Sequence, residues 1–175
     1  MAVLSGAKKR ELGARLEAAF HAGEQSQMEY IYYPVEWKEP YRSRRVECGK
    51  ALYRALGIRR ADTARRKSQW AANYRAFDAP VLLLFLMDKI VETGSYLDCG
   101  MFIQSVMLAA MEHGLATCPQ AALAEYPQLV KPFIGCGDSH VLVCGMALGY
   151  EDPAHPVNNY RTVREPVESF ARFCG

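Results

Sequence analysis

The sequence predicts an α+β domain, or a three-layer α/β domain, in which two buried strands lie among several helices. Residues 79–87 and residues 141–148 are continuously apolar over the length of a strand, which is typical of strands covered on both faces. Apolar residues at helical spacing in much of the remaining chain predict the helices. Two strands alone make a poor sheet, so we expect partner strands to come from elsewhere.

The first half of the chain is predicted to hold three helices. Residues 7–22 place Leu12, Leu16 and Phe20 on one helical face, and Ser5 precedes them as a candidate N-cap. Two more helical patterns follow this first one. They cover residues 42–56 and 62–74.

An aromatic loop is predicted between the first two helices. Residues 24–41 are rich in tyrosine and proline, which disfavours helix and strand alike. Such a loop commonly lines a planar ligand or a partner, and simple packing onto the domain is the alternative interpretation.

The second half is dominated by a helix predicted over residues 95–113. This segment is apolar nearly all round, so we expect it to be the central, buried helix. Gly114 ends it, a turn through residues 118–121 follows, and residues 127–134 form another helix before the second strand. Residues 3–6 resemble the end of a further strand.

Length and composition indicate one globular domain, residues 1–175. With 175 residues, 50% hydrophobic and 23% charged, the sequence excludes a disordered tail, a collagen-like repeat and a coiled coil. No apolar run reaches the roughly 18 residues that a bilayer crossing needs. We find no secretory signal pattern, so a cytoplasmic protein without membrane association is expected.

Charge is distributed unevenly along the chain. Residues 1–87 carry 16 basic and 9 acidic side chains, whereas residues 88–175 carry 5 and 10. The basic half lacks interleaved base-stacking aromatic residues, so a solvated face or a small anionic ligand is expected rather than nucleic acid.

Common catalytic and metal-binding patterns are missing. The six cysteines contain no Cys-x-x-Cys pair, and we interpret them as buried reduced thiols. The spacing of Cys136 and His140 suits a metal, but one pair does not make a zinc site. We find no nucleophile elbow, phosphate-binding loop or dinucleotide fingerprint, so the sequence favours a protein that holds a cofactor which performs the chemistry.

Several motifs, in order along nearly the whole chain, resemble those of the FMN-dependent nitroreductase family. Residues 37–45 and 52–57 are similar to the nitrobenzoate-reductase branch of that family. The other matching segments are residues 73–80, 94–104, 108–120, 144–150 and 158–166.

This resemblance implies a central sheet flanked by helices in an intertwined homodimer, with FMN at the interface. It also implies a ping-pong reaction in which NAD(P)H reduces the flavin and a small aromatic acceptor, nitroaromatic or quinone, then takes the electrons. A full-length relative carries further residues ahead of position 1, so the chain is expected to lack the family's N-terminal region. A non-catalytic dimerisation or ligand-binding module on the same fold remains the alternative.

The resemblance also assigns site residues. The turn Cys118, Pro119, Gln120 and Ala121 is expected to face the reactive edge of the flavin. Asn73 and Arg75 match residues that reach its pyrimidine edge or ribityl chain, and Arg161 and Arg164 match a basic pair at the phosphate. Tyr41 and Arg42 are candidates for the substrate mouth, with Arg42 meeting a carboxylate of an aromatic acid.

Overall fold

The computed structural model describes all residues, 1–175, and they form two compact units. The sheet unit comprises residues 1–34 and 63–151, and the second unit comprises residues 35–62 and 152–175. The helices and strands, in chain order, are β1 (Ala2–Ser5), α1 (Gly6–Ala22), α2 (Tyr41–Ala55), α3 (Thr63–Ala71), β2 (Val81–Asp88), α4 (Ser95–Glu112), β3 (Ala116–Gln120), α5 (Pro127–Phe133) and β4 (His140–Gly149).

The sheet is antiparallel, with the strand order β1-β2-β4-β3. The two predicted apolar strands, β2 and β4, lie at its centre, and the α+β class is confirmed. Both partner strands come from this same chain. β1 agrees with the strand end expected at residues 3–6, whereas the turn expected at residues 118–121 is wrong, because residues 116–120 pair with β4 as an edge strand. An edge position tolerates Pro119, which has no N–H to donate.

One face of the sheet carries the main core. Thirteen buried residues form a continuous cluster there, drawn from α1, α5, the strands and the segments that connect them. Leu12 and Leu16 of α1 are fully buried against this face, as their helical spacing predicts. Full burial of a leucine side chain stabilises the fold by about 1.5–3 kcal/mol. We call this the closed face.

The opposite face, which we call the open face, is covered by α4, with Tyr30 of the aromatic loop packed against Tyr96 of that helix. Its buried cluster has four members, Leu83, Phe85, Val143 and Met146. The prediction that α4 is buried all round is wrong: only Ala110 of this helix is buried. Leu97 and Met111 are 71% and 69% exposed. The apolar pattern was recognised correctly, but nothing in this chain covers the outer side of the helix.

A bulge in β4 is completed by two residues from the aromatic loop. The register between β2 and β4 shifts at Val143, which has no partner residue in β2. Tyr30 donates its hydroxyl hydrogen to the Val143 carbonyl at 2.5 Å, and Glu29 accepts from the Leu142 N–H at 3.0 Å. Backbone groups at the bulge are thereby satisfied by side chains.

The second unit has a different character from the sheet unit. None of its residues is buried, including every residue of α2. By count it carries 11 basic and 7 acidic side chains, against 10 and 12 in the sheet unit. Its ion pair between Arg44 and Glu165, at 3.1 Å, is solvent-exposed. This unit therefore contains many exposed charged side chains and no buried core.

Three smaller expectations have clear outcomes. Ser5 precedes α1, but its side chain makes no capping hydrogen bond. All six cysteines are unpaired thiols, and the prediction that they are buried is wrong because three are exposed and three half-buried. None of the helices combines the length and apolarity that crossing a bilayer requires.

Candidate functional site

A backbone turn in an unusual conformation lies just before β2. Ala76, Phe77 and Asp78 are consecutive left-handed residues, with φ values of 51°, 50° and 59°. Non-glycine residues rarely adopt this region, and each such residue costs of order 1–3 kcal/mol. Three in a row require strong support from their surroundings, and strain of this kind clusters at functional sites. We call residues 73–78 the left-handed turn.

Tyr74 anchors the left-handed turn in the core of the closed face. Its side chain is fully buried and its hydroxyl donates to Glu125 Oε2 at 2.6 Å. Burial, together with the neighbouring Glu125 carboxylate, raises the pKa of Tyr74, so the hydroxyl stays protonated and remains a donor. Its ring also packs against Phe20 and Tyr126.

Helix α1 holds the same turn from another side. Gly13 allows close approach, because a Cβ at this position would lie 3.3 Å from the Tyr74 carbonyl oxygen. Arg75 forms ion pairs with Asp78, at 3.0 Å, and with Glu17. The hydrogen bond to Asp78 and the nearby Glu17 raise the pKa of Arg75 despite partial burial. Arg75 therefore has carboxylate partners within its own chain.

A buried lysine lies beside the left-handed turn. Lys9 of α1 is only 6% exposed. Burial lowers the pKa of Lys9, and attraction by Asp78 opposes that effect in part. Lys9 and Arg75 thus lie beside the carboxylates of Asp78 and Glu17, whose charges balance theirs.

The structure brings together two predicted site residues, Asn73 and Gln120, that are 47 positions apart. Gln120 Nε2 donates to the main-chain oxygen of Asn73 at 3.0 Å and to its Oδ1 at 3.2 Å. Asn73 Nδ2 donates in turn to the Trp70 carbonyl at 2.9 Å. Gln120 is 4% exposed, and its Oε1 atom is buried without any donor. A buried, half-satisfied carboxamide is uncommon and calls for an explanation.

Cys118 and Pro119 are exposed immediately beside this buried pair. They belong to β3, the edge strand, so one side of the β3 main chain has no neighbouring strand in this chain. Ala121 follows as the first residue of a short 3₁₀ helix and is half-buried. Main-chain groups at an edge and two linked carboxamides suit a planar ligand with a polar heterocyclic rim.

The remaining predicted residues lie in the second unit. Tyr41 begins α2 and is 62% exposed, and Arg42 follows it. Arg161 donates to the carbonyl oxygens of Asn158 and Tyr160, both at 2.9 Å, and Arg164 to that of Thr162 at 3.3 Å. Both arginines are exposed. Their assignment to a phosphate, and that of Tyr41 and Arg42 to a substrate, stay predictions.

Sequence reasoning missed the residues that support the left-handed turn. Gly13, in the middle of a helix, was a signal that could have indicated close backbone approach. Glu125 had no local signal, because its partner Tyr74 lies 51 positions away.

A search against family models matches residues 3–150 to the model described as "Nitroreductase family". Among curated proteins, the chain is 36% identical over 173 residues to the 4-nitrobenzoate reductase of Pseudomonas putida, covering 99% of this chain and 75% of that protein.

Solved structures give the same result for the fold. The FMN and NADPH-dependent nitroreductase NfnB from Sphigopyxis sp. strain HMH superposes with a TM-score of 0.95 at 38% identity, covering 99% of this chain and 78% of that one. The FMN-dependent nitroreductase NfnB from Mycobacterium smegmatis, solved in complex with NADPH, gives a TM-score of 0.92 at 31% identity and the same coverage.

Proposed function

The chain belongs to the nitroreductase family, and on this premise we propose that it is a cytoplasmic, FMN-dependent oxidoreductase that uses NAD(P)H to reduce nitroaromatic or quinone acceptors. The observation that carries the proposal is the match, over 99% of the chain, to a structure described as an FMN and NADPH-dependent nitroreductase. We expect residues 1–175 to act as one domain. The cytoplasm is the compartment that supplies NAD(P)H.

The residues around the left-handed turn fit FMN. The Asn73 carboxamide, hydrogen-bonded to Gln120, offers a donor and an acceptor of the kind that the pyrimidine edge of the flavin requires, and the exposed residues Cys118 and Pro119 of β3 lie beside this pair. When bound, FMN supplies the two-electron chemistry, by a ping-pong order in which NAD(P)H delivers a hydride and the acceptor then takes the electrons. This agrees with the absence of a nucleophile elbow from the sequence.

The remaining task of the protein is to bind, orient and tune the cofactor. We assign the main chain of Cys118, Pro119, Gln120 and Ala121 to the ring. Asn73 is assigned to its polar edge. Arg75, two positions after Asn73, is assigned to the same edge or to the ribityl chain. There its guanidinium would bind the ligand as well as the carboxylates of Asp78 and Glu17. Arg161 and Arg164 are assigned to the phosphate, where guanidinium groups form strong charge-assisted bonds.

For the acceptor, the proposal involves Tyr41 and Arg42. Tyr41 offers an exposed ring for stacking. Arg42 carries a permanent positive charge that suits the carboxylate of an aromatic acid. The Pseudomonas putida relative is named for reduction of 4-nitrobenzoate, an acceptor with such a carboxylate.

We also propose that the protein is a homodimer. The outer side of α4 presents a stripe of exposed apolar residues at helical spacing, which is unusual for a surface that faces only water. The stripe consists of Leu97, Met101, Leu108 and Met111. A second copy would complete the cover of the open face.

The test is direct. Purified protein is mixed with FMN, dialysed and examined by absorption spectroscopy, and oxidation of NADPH or NADH is then followed with 4-nitrobenzoate as acceptor. We expect retained yellow flavin and acceptor-dependent oxidation of the nucleotide. Arg164→Ala should weaken FMN retention, with Arg172→Ala as the matched control because no role is assigned to Arg172. Protein that stays colourless at high FMN would contradict the proposal.

A further inference from the structure

The Gln120 side chain contains a buried oxygen atom that no donor satisfies. The residue is only 4% exposed, and Oε1 has no hydrogen-bond donor. Leaving such a group unsatisfied costs about 1–3 kcal/mol. Gln120 pairs with Gly145 of β4, and the Leu123 side chain lies so close to that glycine that a Cβ there would be 2.4 Å away.

The amide nitrogen of the Gln120 side chain is hydrogen-bonded to a single residue. Nε2 donates to two acceptors, and both belong to Asn73. The same Asn73 side chain is held from its other end by the Trp70 carbonyl. With both ends engaged, the Asn73 carboxamide has a fixed orientation, and the identity of its oxygen and nitrogen is specified by these partners.

We propose that the side chain of Gln120 is a positioning residue, which fixes the carboxamide of Asn73 for contact with the cofactor and is retained at a cost in stability. This inference rests on the proposed function, because it takes FMN as the ligand. It differs from the main-chain role assigned above to residues 118–121, since it concerns the Gln120 side chain acting through Asn73.

The inference separates stability from binding. A residue that only supports the fold lowers stability when it is replaced. Gln120→Met keeps the length and approximate volume of the side chain while removing both the unsatisfied oxygen and the donor to Asn73. We therefore expect the FMN-free protein to unfold at the same or a higher urea concentration than wild type.

FMN binding should respond in the opposite direction. Loss of one ordered polar contact is worth about a tenfold change in affinity, so the dissociation constant for FMN should rise about tenfold in Gln120→Met. The visible absorption band of bound flavin should also shift, because a carboxamide near the ring is no longer oriented. Gln120→Leu provides a second apolar variant if the first does not fold.

The chain offers a matched control. Gln128 in α5 has the only other buried side-chain oxygen without a donor, and it makes no hydrogen bond to Asn73. Gln128→Met should leave both the FMN dissociation constant and the flavin spectrum unchanged. In an Asn73→Ala background, Gln120→Met should add less than a twofold further loss, because the residue through which it acts is already gone.

The outcomes are distinguishable. Wild-type protein that binds no FMN overturns both the proposed function and this inference. Wild-type protein that binds FMN, together with Gln120→Met and Gln120→Leu variants of unchanged affinity, overturns the inference alone. Equal losses in the Asn73→Ala and wild-type backgrounds would also contradict it, since Gln120 would then act independently of Asn73.

Discussion

A helix with apolar residues packs on each face of the sheet, but the two helices are buried to very different extents. On the closed face, α1 presents Leu12 and Leu16 to the sheet and both are fully buried. On the open face, α4 is the more apolar helix, yet Leu108 remains 57% exposed. Apolar periodicity therefore indicates how much apolar surface a helix has to bury, but it does not indicate which chain covers that surface.

The largest change in stability is expected from replacing Leu16, which is buried, and its effect can be compared with that of replacing Leu108, which is exposed. Leu16→Ala on the closed face should lower the free energy of unfolding by about 2–5 kcal/mol, because it opens a cavity in the core. Leu108→Ala should weaken association between chains, so its loss of stability should depend on protein concentration. Urea denaturation at two protein concentrations measures both. A concentration-independent loss at Leu108 equal to that at Leu16 would show that the comparison is wrong.

Glu29 links the aromatic loop to α5 and β4 at the closed face. Its carboxylate binds Lys131, at 2.9 Å, and the Leu142 N–H. Burial alone would raise the pKa of Glu29, but the hydrogen bonds from Lys131, Leu142 and Lys89 outweigh it and hold this pKa below its ordinary value of 4.5. The resulting stability is present above about pH 4.5 and is lost as the pH falls through the lowered value.

We therefore expect Glu29→Gln to lose about 2 kcal/mol at neutral pH. The difference from wild type should shrink as the pH falls below 4.5 and disappear once the pH has passed the lowered pKa, where the carboxylate of the folded wild-type protein becomes protonated. Urea midpoints measured across that range check the prediction. A deficit that stays constant down to acid pH would show that the charge of Glu29 contributes nothing.

The neighbouring residue, Tyr30, contacts both β4 and α4 on the open face. Its hydroxyl satisfies the Val143 carbonyl at the bulge, and its ring packs on Tyr96 of α4. Tyr30→Phe keeps the ring and removes the hydroxyl, so we expect a loss of about 1 kcal/mol, smaller than that at Glu29 because no charge is involved. Tyr32→Phe, in the same loop, is the comparison variant. Thermal unfolding without any difference between Tyr30→Phe and wild type would contradict this role.

The smallest change in stability is expected in the second unit. The Arg44–Glu165 ion pair joins two exposed side chains. Such pairs contribute about 0–1 kcal/mol and are screened by salt. Arg44→Ala should therefore shift the urea midpoint the least of these variants, and high salt should remove any difference. A loss comparable to that of Leu16→Ala would mean that this unit has a core of its own.

Much of the fold was predictable because it is encoded locally. The long apolar runs of β2 and β4 and the periodicity of α1 each identify an element within a single window. β3 was missed because it has only five residues, contains Pro119 and is defined by pairing with residues 145–149. The exposure of α4 was missed because burial depends on what covers the helix and not on the helix itself.

Individual residues of the candidate site could be predicted from the sequence, but the contacts between them could not. Asn73 and Gln120 were both identified by resemblance, but their hydrogen bonds join segments 47 positions apart. The left-handed turn contains no glycine, so composition gives no warning that residues 76–78 adopt positive φ values. Its conformation depends on long-range support from Glu17 and Glu125, which only the folded chain brings close.

Sedimentation velocity with simultaneous detection of protein and flavin absorbance measures whether the chain forms a dimer that holds FMN. A chain whose open face is completed by a second copy, and which holds FMN, should sediment as one species of twice the chain's mass that carries the flavin absorbance. Met101→Lys, which places a charge on the outer side of α4, should convert this species to single chains. A colourless species of single-chain mass, in wild-type protein supplied with excess FMN, would contradict the account.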